Sequence, residues 1–593
     1  MQNLTFVEKI FRAECGSIVF KSPDVVLTHD NTASIKKTFQ KMGGEKVKNP
    51  DQLLVVLDHN APPTNAKLAT DYQKVRELVR EQGVKKFYDA GSGICHQIMS
   101  YHAKPGMIIV GSDSHTCTAG AFNAMAAGID RTEAAGLWKR GETWFRVPES
   151  IKITLSGSLP EGVYAKDLSL WIIGMLGSAG ANYMSIEYHG EGVVELSISE
   201  RMTLANLASE MGAKNAVFPP DKVLEAFYGQ KVKGIWADEG ARYFREYEID
   251  LNDLVPLVAA PHHVDNVKSI SELQGVKLNQ GLIGTCTNGR LDDLRIAANV
   301  LDGKQIASGF QLLITPASKE IYLDAIKEGI ITKLMNAGAS ILGSSCGPCL
   351  GTGQGIPADG FKVISTANRN FLGRMGNKNA EIYLASPATV AHSALSGTIT
   401  DPRKEKSKHI RFPYQKIQSS TIEIKNTDKR KCTAVWDYSD VDHLNTDQMF
   451  AGNLTYEVLS SDPDGIRPHL FKGFDEAFAD EVMPGDILIA GENFGCGSSR
   501  EHPAVGLAHA KVQAVIVKSV NRIFYRSAIN QGLLLIVSRE IVDFYKRGDA
   551  ILLDIQEGII QVREKRFEIP PLPDKLQEII KYKGLVNWIR SVI

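Results

Sequence analysis

The chain is poor in cysteine, with eight in 593 residues, and its formal net charge is only −1, from 67 Lys and Arg against 68 Asp and Glu. So few cysteines exclude a disulfide-stapled scaffold and make a reduced, cytoplasmic setting the expectation. The near balance of charge gives no global basic field to attract nucleic acid or an anionic membrane. No apolar run approaches the roughly 18 residues that a membrane helix needs. Met1-Gln2-Asn3-Leu4 opens no basic stretch followed by an apolar one, so a secretory signal is not expected. Internal repeats and low-complexity tracts are missing too.

Present instead are 43% hydrophobic and 23% charged residues, the balance of a globular protein with ample core, and 52 glycines. Short apolar runs recur with helical segments between them: Leu53–Leu57, Met107–Val110, Ile151–Leu155, Gln311–Ile314, Ser340–Leu342, Lys362–Ile364, Asp486–Ala490 and Ala514–Val517. Runs of this length bounded by glycine-rich loops read as buried strands. Lys67–Glu81 and Ser318–Lys327 carry helical spacing. The alternation predicts an α/β fold with largely parallel sheets. The charge-rich segment Asp401–Lys416 lacks an apolar face and reads as a linker region, after which the pattern restarts near Cys432. The expected division is 1–402, a linker at 403–430, and a C-terminal domain at 431–593.

Ligands of open α/β sheets bind at the carboxyl ends of strands. Reading only those positions collects His29-Asp30, Asp58-His59, Asp113-Ser114-His115, Thr285-Cys286, Cys346-Gly-Pro-Cys349, Asn368-Arg369 and Cys496-Gly-Ser498-Ser499-Arg500. So many reactive side chains at strand ends suggest one large site. Three readings of Cys286, Cys346 and Cys349 compete. Cys-Gly-Pro-Cys has the form of a thioredoxin motif but leaves Cys286 unexplained. Structural zinc needs a fourth ligand, and no second CxxC or His pair stands at short spacing. An iron–sulfur cluster on three thiolates would leave one iron open for Lewis-acid chemistry. Spacing alone leaves Cys95, Cys117 and Cys496 open as a fourth ligand.

The motifs LDHN (57–60), SGICHQ (92–97), GSDSHTCTAG (111–120), IEYHGEGV (186–193), GTCTNGR (284–290), SSCGPCLG (344–351), ANRNFLGR (367–374), LASPATVAHSALSGTITDP (384–402) and GENFGCGSSREH (491–502) resemble the aconitase/isopropylmalate isomerase superfamily of iron–sulfur hydro-lyases. The resemblance spans essentially the whole chain. It implies a three-lobed α/β catalytic body and a C-terminal α/β swivel domain that closes over the site. It also implies a 4Fe-4S cluster on Cys286, Cys346 and Cys349 with one open iron, and dehydration followed by rehydration of a 2-hydroxy di- or tricarboxylate.

Carried over residue by residue, the family pattern makes Ser498 the base, with Arg500 lowering the cost of its alkoxide. His59 and His96, with Asp58, Asp113 and Glu187, would protonate the departing hydroxyl. Arg369 and Arg374 would clamp carboxylates. Ser114, His115, Asn368, Ser499 and Asp442 would complete the substrate contacts, with Asn288 beside the cluster. His29 stands where aconitases proper have Gln, and favours the isopropylmalate/homoaconitate branch. The loop Ala451-Gly-Asn-Leu-Thr-Tyr-Glu457 carries no arginine, which suits an alkyl group better than a third carboxylate. The expectations are therefore a 3-isopropylmalate type of substrate, with homoaconitate or aconitate chemistry as alternatives, and a monomer or small homo-oligomer. A cluster-sensing RNA-binding regulator is the rival from another class; the charge balance argues against it.

Overall fold

A computed structural model describes residues 3–403, 435–555, 557–569 and 572–592. They form two compact units. The first unit holds three large sheets, one to a lobe, besides a two-stranded pairing of Ile18–Lys21 with Thr143–Arg146. In one, five parallel strands run in the order Lys86–Tyr88, Leu53–Val56, Val25–Thr28, Ile108–Gly111, Met125–Gly128. In another, four parallel strands run Asn215–Val217, Ser185–His189, Ser150–Ser156, Arg245–Asp250. The third has seven strands, in the order Val267–Ser269, Leu257–Ala259, Glu381–Leu384, Lys362–Ser365, Gln280–Ile283, Gln311–Ile314, Ser340–Ile341. Its last five strands are parallel and its first two are antiparallel.

Strands such as Val25–Thr28, Leu53–Val56 and Gln280–Ile283 are buried along their whole length. Both faces of a parallel sheet are covered by helices, which is why these strands appear as unbroken apolar runs rather than as alternation. Parallel pairing also points their carboxyl ends the same way. The first sheet thereby delivers His29-Asp30, Asp58-His59 and Asp113, and the third delivers Cys286, Cys346 and Asn368-Arg369.

The second unit has a parallel sheet of Val435–Tyr438, Ile487–Ala490, Ala514–Val517 and Leu535–Val537, and an antiparallel sheet of Ile551–Asp554, Ile559–Val562 and Lys565–Glu568. It differs from the division read off the sequence, because residues 33–49 and 129–143 belong to it. The helix Arg131–Arg140 buries Ala134, Ala135, Leu137 and Trp138. Its first turn bonds to side chains between Glu501 and Gln531. Nothing contiguous in the sequence marks such an excursion. The expected linker, Arg403 apart, lies outside the described residues.

One glycine shapes the entry to the site. Gly284 has φ +146°, and a Cβ there would lie 1.8 Å from Thr315 Oγ1 and 2.5 Å from Thr315 O. Only glycine allows the strand Gln280–Ile283 to turn into Thr285-Cys286 against Thr315. Gly284→Ala should therefore destabilise the protein by about 2–4 kcal/mol, measured by urea unfolding.

Candidate active site

In the first unit the strand ends meet at one carboxylate. Asp113 Oδ1 lies 2.8 Å from His96 Nε2 and accepts the His115 backbone N–H at 2.8 Å, while Oδ2 lies 3.6 Å from His59 Nε2. Burial alone would raise the Asp113 carboxyl, but the three histidines hold it well below the usual range. His59 is gripped from its other side by Asp58 Oδ1, 2.7 Å from Nδ1. Burial would lower the His59 pKa; the charges of Asp58 and Asp113 instead hold it well above the ordinary imidazole value. His29 stacks on His59 with ring centroids 4.1 Å apart, and its Nε2 lies 3.2 Å from Ser112 O.

A further residue fixes the Asp58-His59 turn. Asp30 Oδ1 accepts the backbone N–H of Asp58 and His59, and Oδ2 accepts Asn60 N–H at 2.9 Å and the Tyr72 hydroxyl at 2.6 Å. Asp58 Oδ2 in turn accepts the Cys95 N–H at 2.7 Å. Every member of this chain of carboxylates is buried and satisfied, which orders the dyad.

The other lobes contribute Glu210 and Arg369. Glu210 Oε1 lies 2.8 Å from His115 Nε2, and its Oε2 accepts from Arg369 Nε at 3.0 Å. Arg369 Nη2 donates to Ser114 Oγ at 3.0 Å. Burial works to raise the Glu210 carboxyl, yet Arg369 and His115 hold it down at about 2. Lys166, wholly buried, donates to Thr366 O at 3.0 Å and Ala367 O at 2.7 Å, pinning the backbone that leads to Asn368-Arg369. Burial brings its pKa down to about 7.

Cys286, Cys346 and Cys349 line the same region and all three are buried, free thiols. Asn206 Nδ2 and Asn368 Nδ2 each donate to Cys286 Sγ at 3.3 Å, and Arg374 Nη2 donates to Cys349 Sγ at 3.5 Å. Convergent N–H donors suit sulfur that carries negative charge. Burial, then Cys349 and Asp113, push the Cys286 thiol up to about 12, and burial with neighbouring charge raises Cys346 as well. Such thiols ionise only against a cation, which is the behaviour of a metal-binding set. It is the opposite of a redox CxxC, whose attacking thiol needs exposure and a lowered pKa. His96, His115 and Cys286 place ligand atoms within 4.8 Å of one another. The residues present therefore fit a thiolate-bound metal group. Cys95 is wholly buried with its thiol raised, Cys117 Sγ is held on Ser114 O and Asn206 O, and Cys496 Sγ is held on His443 O.

Glu187 is not brought to this group. Its carboxylate accepts the Phe6 N–H at 2.9 Å and the Tyr243 hydroxyl at 2.9 Å, and lies 3.4 Å from His189 Nε2. It holds the N-terminal helix Phe6–Phe11, and Glu210 stands where an acid partner for the histidines was expected. Asn288 donates to Asp293 Oδ1 at 3.0 Å and supports the turn after Cys286.

In the second unit, Ser498 Oγ accepts from Arg500 Nε at 2.6 Å and lies 3.3 Å from Thr446 Oγ1. Arg500 is itself held by Asp447, 2.6 Å from Nη2, and by Phe450 O, 2.9 Å from Nη1. Ser499 stands half-buried beside them. Asp442 is turned to the backbone instead, with Oδ1 accepting the Glu492 N–H at 2.6 Å, and it supports the turn into Gly491–Cys496. Arg467 is directed at Val482 O, at 3.5 Å.

A model of the aconitase family (aconitate hydratase) matches residues 5–275 and 268–397, and one of the aconitase C-terminal domain matches residues 415–540. The chain belongs to the aconitase family. It is accordingly a hydro-lyase. The 3-isopropylmalate dehydratase large subunit 1 of Methanopyrus kandleri is 46% identical over 412 residues, which cover 67% of this chain and 99% of that protein. The probable methanogen homoaconitase large subunit of Methanosarcina mazei is 46% identical over 388 residues, 64% of this chain and 98% of that protein. Among solved structures, 3-isopropylmalate dehydratase (leuD) from Methanocaldococcus jannaschii is 34% identical, covers 27% of this chain and 92% of that one, and has a TM-score of 0.25. Among the described residues no helix is long and apolar enough to cross a membrane.

Because the Glu210 carboxyl is held near 2 in the folded protein against 4.5 otherwise, its stabilisation is present above pH 4.5 and fades as pH falls from there to about 2. Glu210→Gln should lower stability by about 3 kcal/mol at pH 7, with the gap to wild type closing below pH ~4.5, measured by denaturant unfolding across pH.

Proposed function

We propose that the protein removes water from a 2-hydroxy di- or tricarboxylate and adds it back at the neighbouring carbon, using a 4Fe-4S cluster held by Cys286, Cys346 and Cys349. The observation that carries this reading is the meeting of three buried cysteines, two of them met by N–H donors, with the His59/His96/His115 set around Asp113. When bound, such a cluster supplies an open Lewis-acidic iron that draws electron density from the substrate hydroxyl.

The protein residues do the rest. His59, protonated between Asp58 and Asp113, is the cation able to give a proton to the departing hydroxyl. His96 and His115 are oriented by Asp113 and Glu210 to hold the released water. Arg369 and Ser114 take one substrate carboxylate, with Arg374 beside them. Ser498 removes the carbon-bound proton; Arg500, donating to Oγ, stabilises the alkoxide that this requires. Asp447 keeps that guanidinium in place.

The substrate we propose is of the 3-isopropylmalate/2-isopropylmalate type. His29, the absence of an arginine in 451–457 and the direction of Arg467 toward Val482 O support an alkyl-bearing substrate over one with a third carboxylate. The homoaconitase relatives keep homoaconitate chemistry as the second reading. Both catalytic sets lie on one chain, which supports a protein working as a monomer or small homo-oligomer, and we place it in the cytoplasm.

Anaerobic iron reconstitution followed by parallel dehydration assays tests the substrate: kcat/KM should be highest for isopropylmalate, and a preference for homocitrate or citrate would replace that assignment. Ser498→Ala should keep cluster absorbance while kcat falls by about 10²–10⁴-fold. Cys346→Ser should fail to retain iron, measured by visible absorbance and iron content.

A further inference from the structure

Lys166 occupies a place where a lysine is costly on two counts. It lies in the first turn of the helix Ala165–Leu176, where the helix dipole disfavours a cation, and its side chain is fully buried. Its Nζ donates to two backbone carbonyls, Thr366 O at 3.0 Å and Ala367 O at 2.7 Å. Carbonyl dipoles solvate an ammonium without neutralising it, and a buried charge is stable only when an opposite charge answers it. Among the described residues no carboxylate forms an ion pair with Lys166. The adjacent Asp167 is turned to the backbone, Oδ1 accepting the Leu257 N–H at 2.9 Å and Oδ2 the Tyr164 N–H at 3.0 Å. Glu210 is taken by Arg369 and His115.

The two carbonyls belong to the backbone of the cysteine site. Thr366 Oγ1 accepts the Gly284 N–H at 2.9 Å and donates to Gly284 O at 3.1 Å, two residues before Cys286. Ala367 leads into Asn368, which bridges two of the cysteines: Nδ2 donates to Cys286 Sγ at 3.3 Å, and Oδ1 accepts from Cys349 Sγ at 3.7 Å. Lys166 therefore grips the strand end that joins Cys286 to Cys349. Burial lowers its pKa, and the negative charge of Cys286, then of Glu210, Asp167 and Cys349, works against that lowering. Arg369 is answered by Glu210, and Arg374 has a place beside a substrate carboxylate on the proposed function. Neither account covers Lys166.

From this placement we infer that Lys166 is the counter-cation of the iron–sulfur cluster proposed at Cys286, Cys346 and Cys349. Three thiolates carry three negative charges into a buried site, and the ammonium answers part of that charge. It acts through its field in a low-dielectric interior rather than by touching substrate, and it eases the uptake of a further electron by the cluster. The inference rests on the proposed cluster and adds to it a residue that sets its potential.

The test titrates cluster-loaded wild type, Lys166→Met and Lys166→Gln anaerobically with dithionite, followed by electron paramagnetic resonance. Methionine removes the charge and the donors together; glutamine keeps an N–H donor for the carbonyls and removes only the charge. In both variants the reduction equilibrium should move about tenfold toward the oxidised cluster, a fall of about 59 mV for a one-electron couple. A purely structural lysine would leave Lys166→Gln at the wild-type potential, and that result overturns the inference. Should the neutral variants fail to fold, ¹³C-labelled lysine in the wild type supplies a second measurement. The lysine that loses its proton near pH 7 in the cluster-free protein should keep it well above that in the loaded protein. The same titration with and without cluster overturns the inference. A wild type that takes up no iron would remove the proposed cluster itself, whereas a loaded wild type matched in potential by both variants removes only the role of Lys166.

Discussion

An ionised carboxylate in a dry interior is unstable unless every lone pair is answered, and in this protein the answer at Asp113 is three imidazoles. Its 2.8 Å approach to His96, its acceptance of the His115 N–H and its position opposite His59 supply the compensation that burial demands. The dependence runs both ways. Because Asp113 must stay charged, the histidines converge on it, and because they converge, the rings of His96 and His115 are fixed beside Cys286. Asp30, Asp58 and Glu210 repeat the arrangement on a smaller scale, each carboxylate bound to backbone N–H groups or to an imidazole or guanidinium partner. A set of buried charges tied together in this way has little freedom to rearrange, which is what a site that moves protons and orients water requires.

Much of this was legible in the sequence because parallel sheets impose one direction on their strands. Reading the residues just past the strand-like runs found Asp58, His59, Asp113, His115, Cys286, Cys346 and Arg369 without a fold in hand. The rule fails where a functional residue does not follow a strand. Glu210 lies in the short helical turn Ala208–Met211, so it was passed over in favour of Glu187, which sits in the strand Ser185–His189 and serves the N-terminal helix. Lys166, in the first turn of the helix Ala165–Leu176, follows no strand either, and it is wholly buried and bonded to Thr366 O and Ala367 O. Asp442, expected among the substrate contacts, supports backbone instead, and Asp447, to which the sequence reading gave no part, holds Arg500. The membership of 129–143 in the second unit had no local sign, since its polar partners lie hundreds of residues away.

On the proposed function, the two units carry different halves of the chemistry. The first has the sulfur donors, the histidines and the carboxylate-binding arginine; the second has a serine whose oxygen is met by a guanidinium at 2.6 Å. A serine hydroxyl is a weak base, and an adjacent cation that is itself anchored by Asp447 and Phe450 O is the kind of preorganised electrostatic support that makes its ionised form accessible. The relatives described as large subunits align with about two thirds of the chain, and the C-terminal family model matches beyond them, within 415–540.

The central claim is that Asp113 and Asp58 hold a proton on His59. Selective ¹⁵N labelling of histidine and an NMR titration of the imidazole nitrogens measure this directly, in wild type and in Asp113→Asn. The account predicts a His59 signal that stays in its protonated form well above the ordinary imidazole range in the wild type and moves back toward that range in the variant. A His59 that titrates at the ordinary value in both proteins would contradict it.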